Sequence, residues 1–364
     1  MSSFLWMILL FVLGTLWFVL PFVPGLREIR MRRDATPLFV QADAQTDVRH
    51  FAHGFQAWVA SHLAEVVRQV RETGNREEGR TPEGEEYLVV PETEAFLEST
   101  DERISGTTGR IVASTGDLQL PDALVFQREL YARGSVLGGA RCRYRAVLAD
   151  LDVELQIDSE VERWVHAGRA LVVHPRTKLF GRASADGSIF VHGPCSFERL
   201  RAPMIELGPR EFDVGWREGR EELRELRVDE IPHLRDHSGR RLLIDGDFKL
   251  PAGCYLDQDL VVWGNVVLGK DSHCAGSVKT HRTLTLEDGV QVDGSLISQQ
   301  DMAVGTGCRI HGPILAERKM QIGPRCQVGR ALIPTTVRAD VLVLSMGSAI
   351  HGTVWSSHNG EVIA

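Results

Sequence analysis

An apolar pattern repeats every six residues between positions 286 and 333, and it constrains the fold more than any other feature. Counted from the start of this segment, the first and fifth residues of its eight hexads make sixteen positions, and fifteen of these are apolar. The other thirty-two positions hold only five apolar residues. So regular a pattern indicates a repeat architecture in which neighbouring units stack. The sixteen positions are Leu286, Val290, Val292, Leu296, Ser298, Met302, Val304, Cys308, Ile310, Ile314, Ala316, Met320, Ile322, Cys326, Val328 and Leu332.

Three hexads make eighteen residues, and residues of similar size recur at that spacing. In a three-sided coil each winding places its side chains above those of the previous winding, and columns of matched size pack without voids. An α-helix is excluded because these positions would cover its whole circumference. The sequence therefore predicts an all-β fold, a single-stranded β-helix (β-solenoid) with about eighteen residues per winding. The columns are Leu286, Val304 and Ile322; Val290, Cys308 and Cys326; Leu296, Ile314 and Leu332; Val292, Ile310 and Val328; Leu284, Met302 and Met320; Ser298 and Ala316; and Gly294 and Gly312.

The same step predicts how far the solenoid extends. Residues 350–354 repeat residues 310–314 in a slightly altered phase. We predict a first half over residues 88–208 and a second half over residues 241–358, together roughly twelve windings. Further columns upstream support this: Phe248, Val266 and Leu284; Leu250, Leu268 and Leu286; Val153, Leu171, Ile189 and Leu207; and Val161, Leu179 and Phe197.

Two segments fall outside the repeat. Residues 43–73 carry apolar residues at steps of three and four, which predicts an amphipathic helix that ends at Thr73-Gly74-Asn75. We expect this helix to pack on the rest of the protein or on a second copy. Residues 209–240 are highly charged, and we expect them to loop out of the solenoid with a short helix around 217–226.

The N-terminus contains twenty consecutive residues without a charge, from Phe4 to Val23. This length suits a transmembrane helix, and we predict an anchor over residues 1–26. A cleaved signal peptide fits less well because no basic residue precedes the run. Basic residues follow the run, so the body of the protein is expected on the cytoplasmic side. They are Arg27, Arg30, Arg32 and Arg33.

The segments Leu286-x-x-Gly-Val-x-Val292-x-Gly294-Ser-Leu296 and Val304-Gly-x-Gly-Cys-x-Ile310-x-Gly312-Pro-Ile314 resemble the bactofilin family of polymer-forming bacterial cytoskeletal proteins. The resemblance covers residues 248–358 well and residues 104–208 weakly. It implies a right-handed β-helix that associates end to end without nucleotide, and some members have a membrane-targeting N-terminus. With the predicted anchor, it implies a single-pass protein of the bacterial inner membrane whose solenoid is cytoplasmic.

These observations predict a membrane-anchored, self-associating scaffold whose partners are further copies, through solenoid ends or faces, and the membrane through residues 4–23. The hexad is also similar to that of hexapeptide-repeat acyltransferases, so an enzyme acting on an envelope precursor is one alternative. A monomeric membrane adaptor, acting through the helix or residues 209–240, is another. The net charge of −8 argues against a nucleic-acid partner.

Four histidines in the strong repeat could act as a general base, namely His273, His281, His311 and His351. The last two share an Ile-His-Gly turn, which indicates a recurring surface position rather than a unique base. The paired carboxylates Glu287-Asp288 and Asp245/Asp247 are interpreted as solvated turns.

The glycines of residues 134–139 and 305–307 are interpreted as solenoid corners, since neither run has the context of a phosphate loop. The six cysteines contain no Cys-x-x-Cys pair and are expected to be reduced core thiols. They are Cys142, Cys195, Cys254, Cys274, Cys308 and Cys326. We therefore predict no catalytic, cofactor-binding or metal-binding residue.

Overall fold

The computed structural model describes residues 6, 10, 11, 13–15, 17, 18, 20–23, 48–92, 100–209 and 223–364. Two units pack internally, Met1–Phe39 and Val40–Ala364. Most of the predicted anchor, residues 1–26, lies outside the described residues. Of the part that is described, Leu20–Phe22 form a 3-10 turn. No helix among the described residues has both the length and the apolar character needed to cross a bilayer.

The second unit contains a β-solenoid of about 14 turns with a spacing of about 18 residues, which confirms the predicted all-β repeat with two more windings than expected. The first half contains β1 (Glu77–Arg80), β2 (Glu86–Val90), β3 (Thr107–Thr108), β4 (Ile111–Ser114), β5 (Leu118–Gln119), β6 (Val125–Ala132), β7 (Val136–Leu137), β8 (Arg143–Ala149), β9 (Val153–Leu155), β10 (Glu160–Ala167), β11 (Ala170–Val173), β12 (Lys178–Ala185), β13 (Ser188–Val191) and β14 (Cys195–Leu207).

The second half contains β15 (Arg224–Glu225), β16 (Leu234–Ser238), β17 (Arg241–Ile244), β18 (Phe248–Leu250), β19 (Cys254–Leu256), β20 (Asp259–Val262), β21 (Val266–Leu268), β22 (His273–Cys274), β23 (Val278–Thr280), β24 (Leu284–Leu286), β25 (Gln291–Val292), β26 (Leu296–Ser298), β27 (Met302–Val304), β28 (Arg309–Ile310), β29 (Ile314–Ala316), β30 (Lys319–Ile322), β31 (Gln327–Val328), β32 (Thr335–Ser345) and β33 (Ser348–Ile363). The helices are α1 (His50–His62), α2 (Ala64–Thr73) and α3 (Thr100–Ser105), and a second 3-10 turn spans Val228–Glu230.

The predicted columns are formed by parallel pairing between successive windings. Leu286 pairs with Val304, which in turn pairs with Ile322, and all three side chains are buried. Ser298, the polar exception in the hexads, is also buried and stacks on Ala316. Its hydroxyl lies 2.6 Å from the carbonyl oxygen of Arg282, so this polar group is satisfied inside the apolar core.

Two predicted column members are wrong. Leu332 is 95% exposed, and Val337 takes the place above Ile314 instead. Five extra residues form a loop at this point, and the next winding, from Val337 to Val354, is one residue short of eighteen; together these explain the altered phase of residues 350–354. In the first half Leu207 pairs with Val191, so that Ile205 rather than Leu207 stacks on Ile189. Leu332 was misplaced because it satisfies the eighteen-residue spacing, although a loop interrupts the winding there.

The two halves meet tail to tail. Within each half successive windings are parallel, but β14 pairs with β33 in the antiparallel direction, from Cys195 opposite Val362 to Leu207 opposite Ser348. The last winding of the first half therefore lies against the last winding of the second half. The second half winds back toward the first instead of continuing in the same direction.

Part of the outer end of each half is covered by the chain itself. In the first half β1 lies antiparallel on β2, and in the second half β16 lies antiparallel on β17. Leu226 and Ile231 are buried in the core beside this second end. Residues 223–240 thus pack onto the solenoid instead of looping out. Within the described part of the predicted helix, residues 223–226, Arg224–Glu225 form a strand. The remainder, residues 217–222, lies outside the described residues.

The predicted amphipathic helix consists of α1 and α2, which are separated at Leu63; its first residues, 43–47, lie outside the described residues. Gly74 ends α2 with a positive φ of 69°, as the Thr-Gly-Asn signal predicted. The helices pack on the outer surface of the first half, because the outward side chains there are apolar. These outward residues are Val89, Ile111, Ala113, Tyr131, Ala146, Leu148 and Trp164, and the helix contributes Ala52, Val59, Leu63, Val67 and Val70.

The corrected column leads to a stability prediction. Val337→Ala should lower the free energy of unfolding by about 2 kcal/mol, because it leaves a cavity above Ile314. Leu332→Ala should change it by less than about 0.5 kcal/mol, because that side chain is exposed. Urea unfolding of the two variants measures both values. Equal losses for the two variants would contradict the observed register.

The junction between the halves can be tested at Gly360. A Cβ atom there would lie 2.6 Å from the carbonyl oxygen of Phe197 across the junction. Gly360→Val should therefore destabilise the protein by about 1–3 kcal/mol. Amide hydrogen exchange should rise first in β14 and β33 and least in the middle of the second half. Gly109→Val is a matched control, since its nearest neighbour would be 3.8 Å away.

Candidate functional site

Two of the candidate histidines meet on one carboxylate that the sequence did not single out. His273 lies in β22 and His311 follows β28, two windings further on. The Nε2 atom of His273 lies 2.9 Å from Oδ2 of Asp293, and Nδ1 of His311 lies 3.0 Å from Oδ1 of the same residue. Asp293 thus bridges two imidazoles. A column search would have found the pair 293 and 311, which are one winding apart.

Further groups surround this cluster. The Tyr255 ring meets the His273 ring edge to face, with centroids 5.2 Å apart. Nη2 of Arg330 lies 2.7 Å from Nδ1 of His311. Without a proton on Nδ1, the His311 ring accepts from Arg330, because a guanidinium can only donate; with a proton on Nδ1, the ring donates to Asp293, and in the neutral ring this tautomer makes Nε2 the basic nitrogen.

The electrostatics of the cluster favour a charged Asp293 and a neutral His311. Burial raises the pKa of Asp293, but the hydrogen bond and charge of His273, with His311, lower it below its usual value overall. Burial and the charge of Arg330 lower the pKa of His311, against the opposing effect of Asp293. A base at this position would have an aspartate to orient it. The part of the chain that the structure describes has no group of three or more His, Cys, Asp or Glu side chains able to hold a metal ion.

The other two candidate histidines are used differently. His281 stacks on Trp263 with ring centroids 3.8 Å apart, and its Nδ1 lies 3.0 Å from Oε1 of Gln299. His351 is only 5% exposed, and its Nδ1 donates to the carbonyl oxygen of Pro203 at 3.0 Å, across the tail-to-tail junction. His351 therefore does not share the more open setting of His311, although both belong to an Ile-His-Gly turn.

The carboxylates interpreted as turns have a recurring structural role. An aspartate at a corner accepts a hydrogen bond from the backbone N–H of the residue eighteen positions later, in the next winding. Asp288 accepts from Thr306 at 2.8 Å, and Asp247 accepts from Asn265 at 2.7 Å. These bonds connect corners where strand pairing stops. The same arrangement is found for Asp117 and Ser135, Asp122 and Ala140, Asp152 and Ala170, Asp259 and Ser277, and Asp301 and Lys319.

Glycines and cysteines also serve packing. A Cβ atom on Gly305 would come within 2.8 Å of the backbone carbon of Glu287, so this corner brings two windings close together. All six cysteines are buried and free, as expected. The hydrogen bond with Cys308, together with burial, raises the pKa of Cys326 well above its usual value. A thiol held neutral in this way is a poor nucleophile.

A groove of about 480 Å³ lies between the helices and the first half. Its lining includes Tyr131, whose hydroxyl donates to Asp150 at 2.9 Å. Apolar side chains line it together with the guanidinium groups of Arg71 and Arg133. The groove offers a mixed apolar and cationic surface without an arranged nucleophile among its lining residues.

Comparison of the chain with protein-family models, curated proteins and solved structures gives no match. The candidate site must therefore be interpreted from its own geometry.

The Asp293 cluster predicts that two substitutions shift the pKa of His311 in opposite directions. Asp293→Asn should lower the pKa of His311 further, since the carboxylate raises it, whereas Arg330→Gln should raise it. NMR titration of the imidazole signals measures both shifts. Because the folded-state pKa of His311 is already lowered, its contribution to stability is lost as the pH falls below about 6.5, and Asp293→Asn should deepen this loss. Shifts of the same sign in both variants would contradict the geometry.

Proposed function

We propose that the chain is a non-catalytic scaffold that works at a membrane and binds partners through the outer faces of its solenoid and the adjoining helices. The observation that carries this proposal is the way the solenoid is closed. Its interior is filled by packed columns, its tails pair with each other, and strands at its outer ends are paired with β1, β15 and β16. The resemblance to bactofilins and the uncharged run from Phe4 to Val23 give further support.

The closed ends bear on the form of self-association. An exposed terminal winding would offer unpaired strand edges to another copy. Here the edges of β2 and β17 are paired with β1 and β16, and the tails of both halves are paired inside one chain. Adding a subunit at the edge of β2 or β17 requires displacing these segments, and the tails are already occupied. We therefore favour a single-copy adaptor that binds through its faces over a polymer that grows at its ends.

An acyltransferase is the second candidate, and the Asp293 cluster is the observation that favours it. His311 would act as general base, oriented by Asp293. Acyl-CoA binding that is lost in His311→Ala, while His281→Ala retains it, would support this alternative. Binding that is absent or insensitive to His311 would remove its only structural support.

The scaffold proposal is tested by the mass and shape of the unit over residues 40–364. Light scattering should give the mass of one copy, and electron microscopy should show uniform particles. Filaments or sheets would contradict the single-copy adaptor and would favour the self-associating polymer instead. Partner capture by proximity labelling in cells, lost when the outer faces are altered, would support the scaffold role.

A matched pair of variants tests why the chain does not grow. Leu226→Asp with Ile231→Asp should uncover the outer end of the second half, since both side chains are buried there. This variant should form dimers or larger species in light scattering. Leu332→Asp with Ile333→Asp adds the same charges at exposed positions and should remain a single copy. A single-copy mass for both variants would mean that these residues do not block association.

A further inference from the structure

The tail-to-tail junction assembles a row of arginines on the outer surface. Arg182 pairs with Arg199, Arg199 pairs across the junction with Trp355, and Trp355 pairs with Arg338. These four residues occupy four adjacent strands, two from each half. We call these residues, together with Phe51 of α1, the arginine patch.

Aromatic rings order the guanidinium groups of this patch. The Cζ atoms of Arg199 and Arg338 lie 4.1 Å and 4.0 Å from the centroid of the Trp355 ring. The Cζ atom of Arg182 lies 4.6 Å from the centroid of the Phe51 ring. Such cation–π contacts fix the planes of the guanidinium groups while leaving their N–H groups available as donors.

The positive charge of the patch is not neutralised by ion pairs. Within the described ranges, Arg182, Arg199 and Arg338 form no salt bridge. Burial, followed by the charges of Arg182 and Arg338, lowers the pKa of Arg199, and Glu198 is the one carboxylate that opposes this effect. Like charges on adjacent strands repel, so the arrangement is unfavourable until an anion is bound.

Exposed aromatic side chains accompany these charges. Phe51 is 50% exposed, and Phe180, two residues before Arg182 in β12, is 44% exposed. Exposed aromatic rings beside cationic groups are typical of surfaces that sit at the headgroup level of a bilayer. The chain also enters the solenoid at this place, because α1 begins at His50. The N-terminal end of α1 therefore lies beside the patch, through the contact of Phe51 with Arg182.

We propose that the arginine patch binds the phosphate groups of anionic lipids at the membrane surface. This inference rests on the proposed membrane function, and it specifies that guanidinium groups contact lipid phosphate groups at the membrane surface. Planar guanidinium groups bind phosphate oxygens in a bidentate manner. Nucleic acid shares the phosphate chemistry, but a net charge of −8 and an uncharged run of twenty residues favour the lipid surface.

The test uses the full chain reconstituted in vesicles of phosphatidylcholine alone or mixed equally with phosphatidylglycerol, with a trace of photoreactive lipid of either headgroup. Cross-linked peptides are identified by mass spectrometry. Peptides of the arginine patch should react with the phosphatidylglycerol probe at least about fivefold more than with the phosphatidylcholine probe, the factor contributed by one arginine near an anionic surface. The triple variant Arg182→Gln, Arg199→Gln, Arg338→Gln should lose this preference.

The matched control is Arg169→Gln, Arg176→Gln, Arg240→Gln, which removes the same charge from arginines that are paired with Asp152, Asp158 and Asp257. It should keep the preference of the unaltered chain. Equal cross-linking of both headgroups, or a preference kept by the triple variant, overturns the inference. Tight binding of a short single-stranded oligonucleotide at the patch, without lipid cross-linking, also overturns it.

Flotation of the full chain with phosphatidylcholine vesicles separates this inference from the proposed function. If the chain floats but the patch shows no headgroup preference, only the arginine patch assignment fails. If the chain does not float with either kind of vesicle, the membrane role itself fails.

Discussion

The antiparallel pairing of β14 with β33 is the interaction on which the rest of the structure depends. A solenoid of parallel windings leaves an unpaired edge at each end, and here the two tail edges satisfy each other. The pairing also decides the path of the chain, which leaves the first half at Leu207 in the junction and returns at Arg224 beside the outermost winding. Sixteen residues separate these positions. Fully extended they reach about 54 Å, more than the roughly 34 Å of seven windings at the usual strand spacing.

The repeat was predictable because each winding stacks in register on the next, so that residues such as Leu286, Val304 and Ile322 must match in size. The sequence could not predict that the second half winds back toward the first. The eighteen-residue spacing within a column is the same in whichever direction the windings progress. Leu332 and Leu207 were misplaced for a related reason. A loop is inserted before Val337, and the winding that ends at Leu207 is shortened by two residues. In both places an apolar residue at the expected spacing is not the residue that stacks, and the sequence does not distinguish the two.

In the candidate site, too, some contacts follow from the sequence period and others depend on how the chain folds. Asp293 and His311 are one winding apart, so their proximity follows from the period alone. His273 is two residues out of that register, and its hydrogen bond to Asp293 depends on how the corner turns. The arginine patch could not be found from the sequence at all. Arg199 and Trp355 are neighbours only because the second half winds back onto the first.

The distribution of surface chemistry follows from these constraints. The column of outward residues runs from Trp164 through Arg182 and Arg199 to Trp355 and Arg338. At Trp164 it is apolar and covered by α1. Beyond the start of that helix nothing in the described chain neutralises it, and the column becomes cationic although the chain as a whole is acidic. In the arginine patch, Arg182 and Arg199 come from the first half, and Trp355 and Arg338 come from the second half. An anion bound there would therefore contact both halves. The free energy of anion binding would add to the stability of the junction, and opening of the junction would separate the residues that form the site.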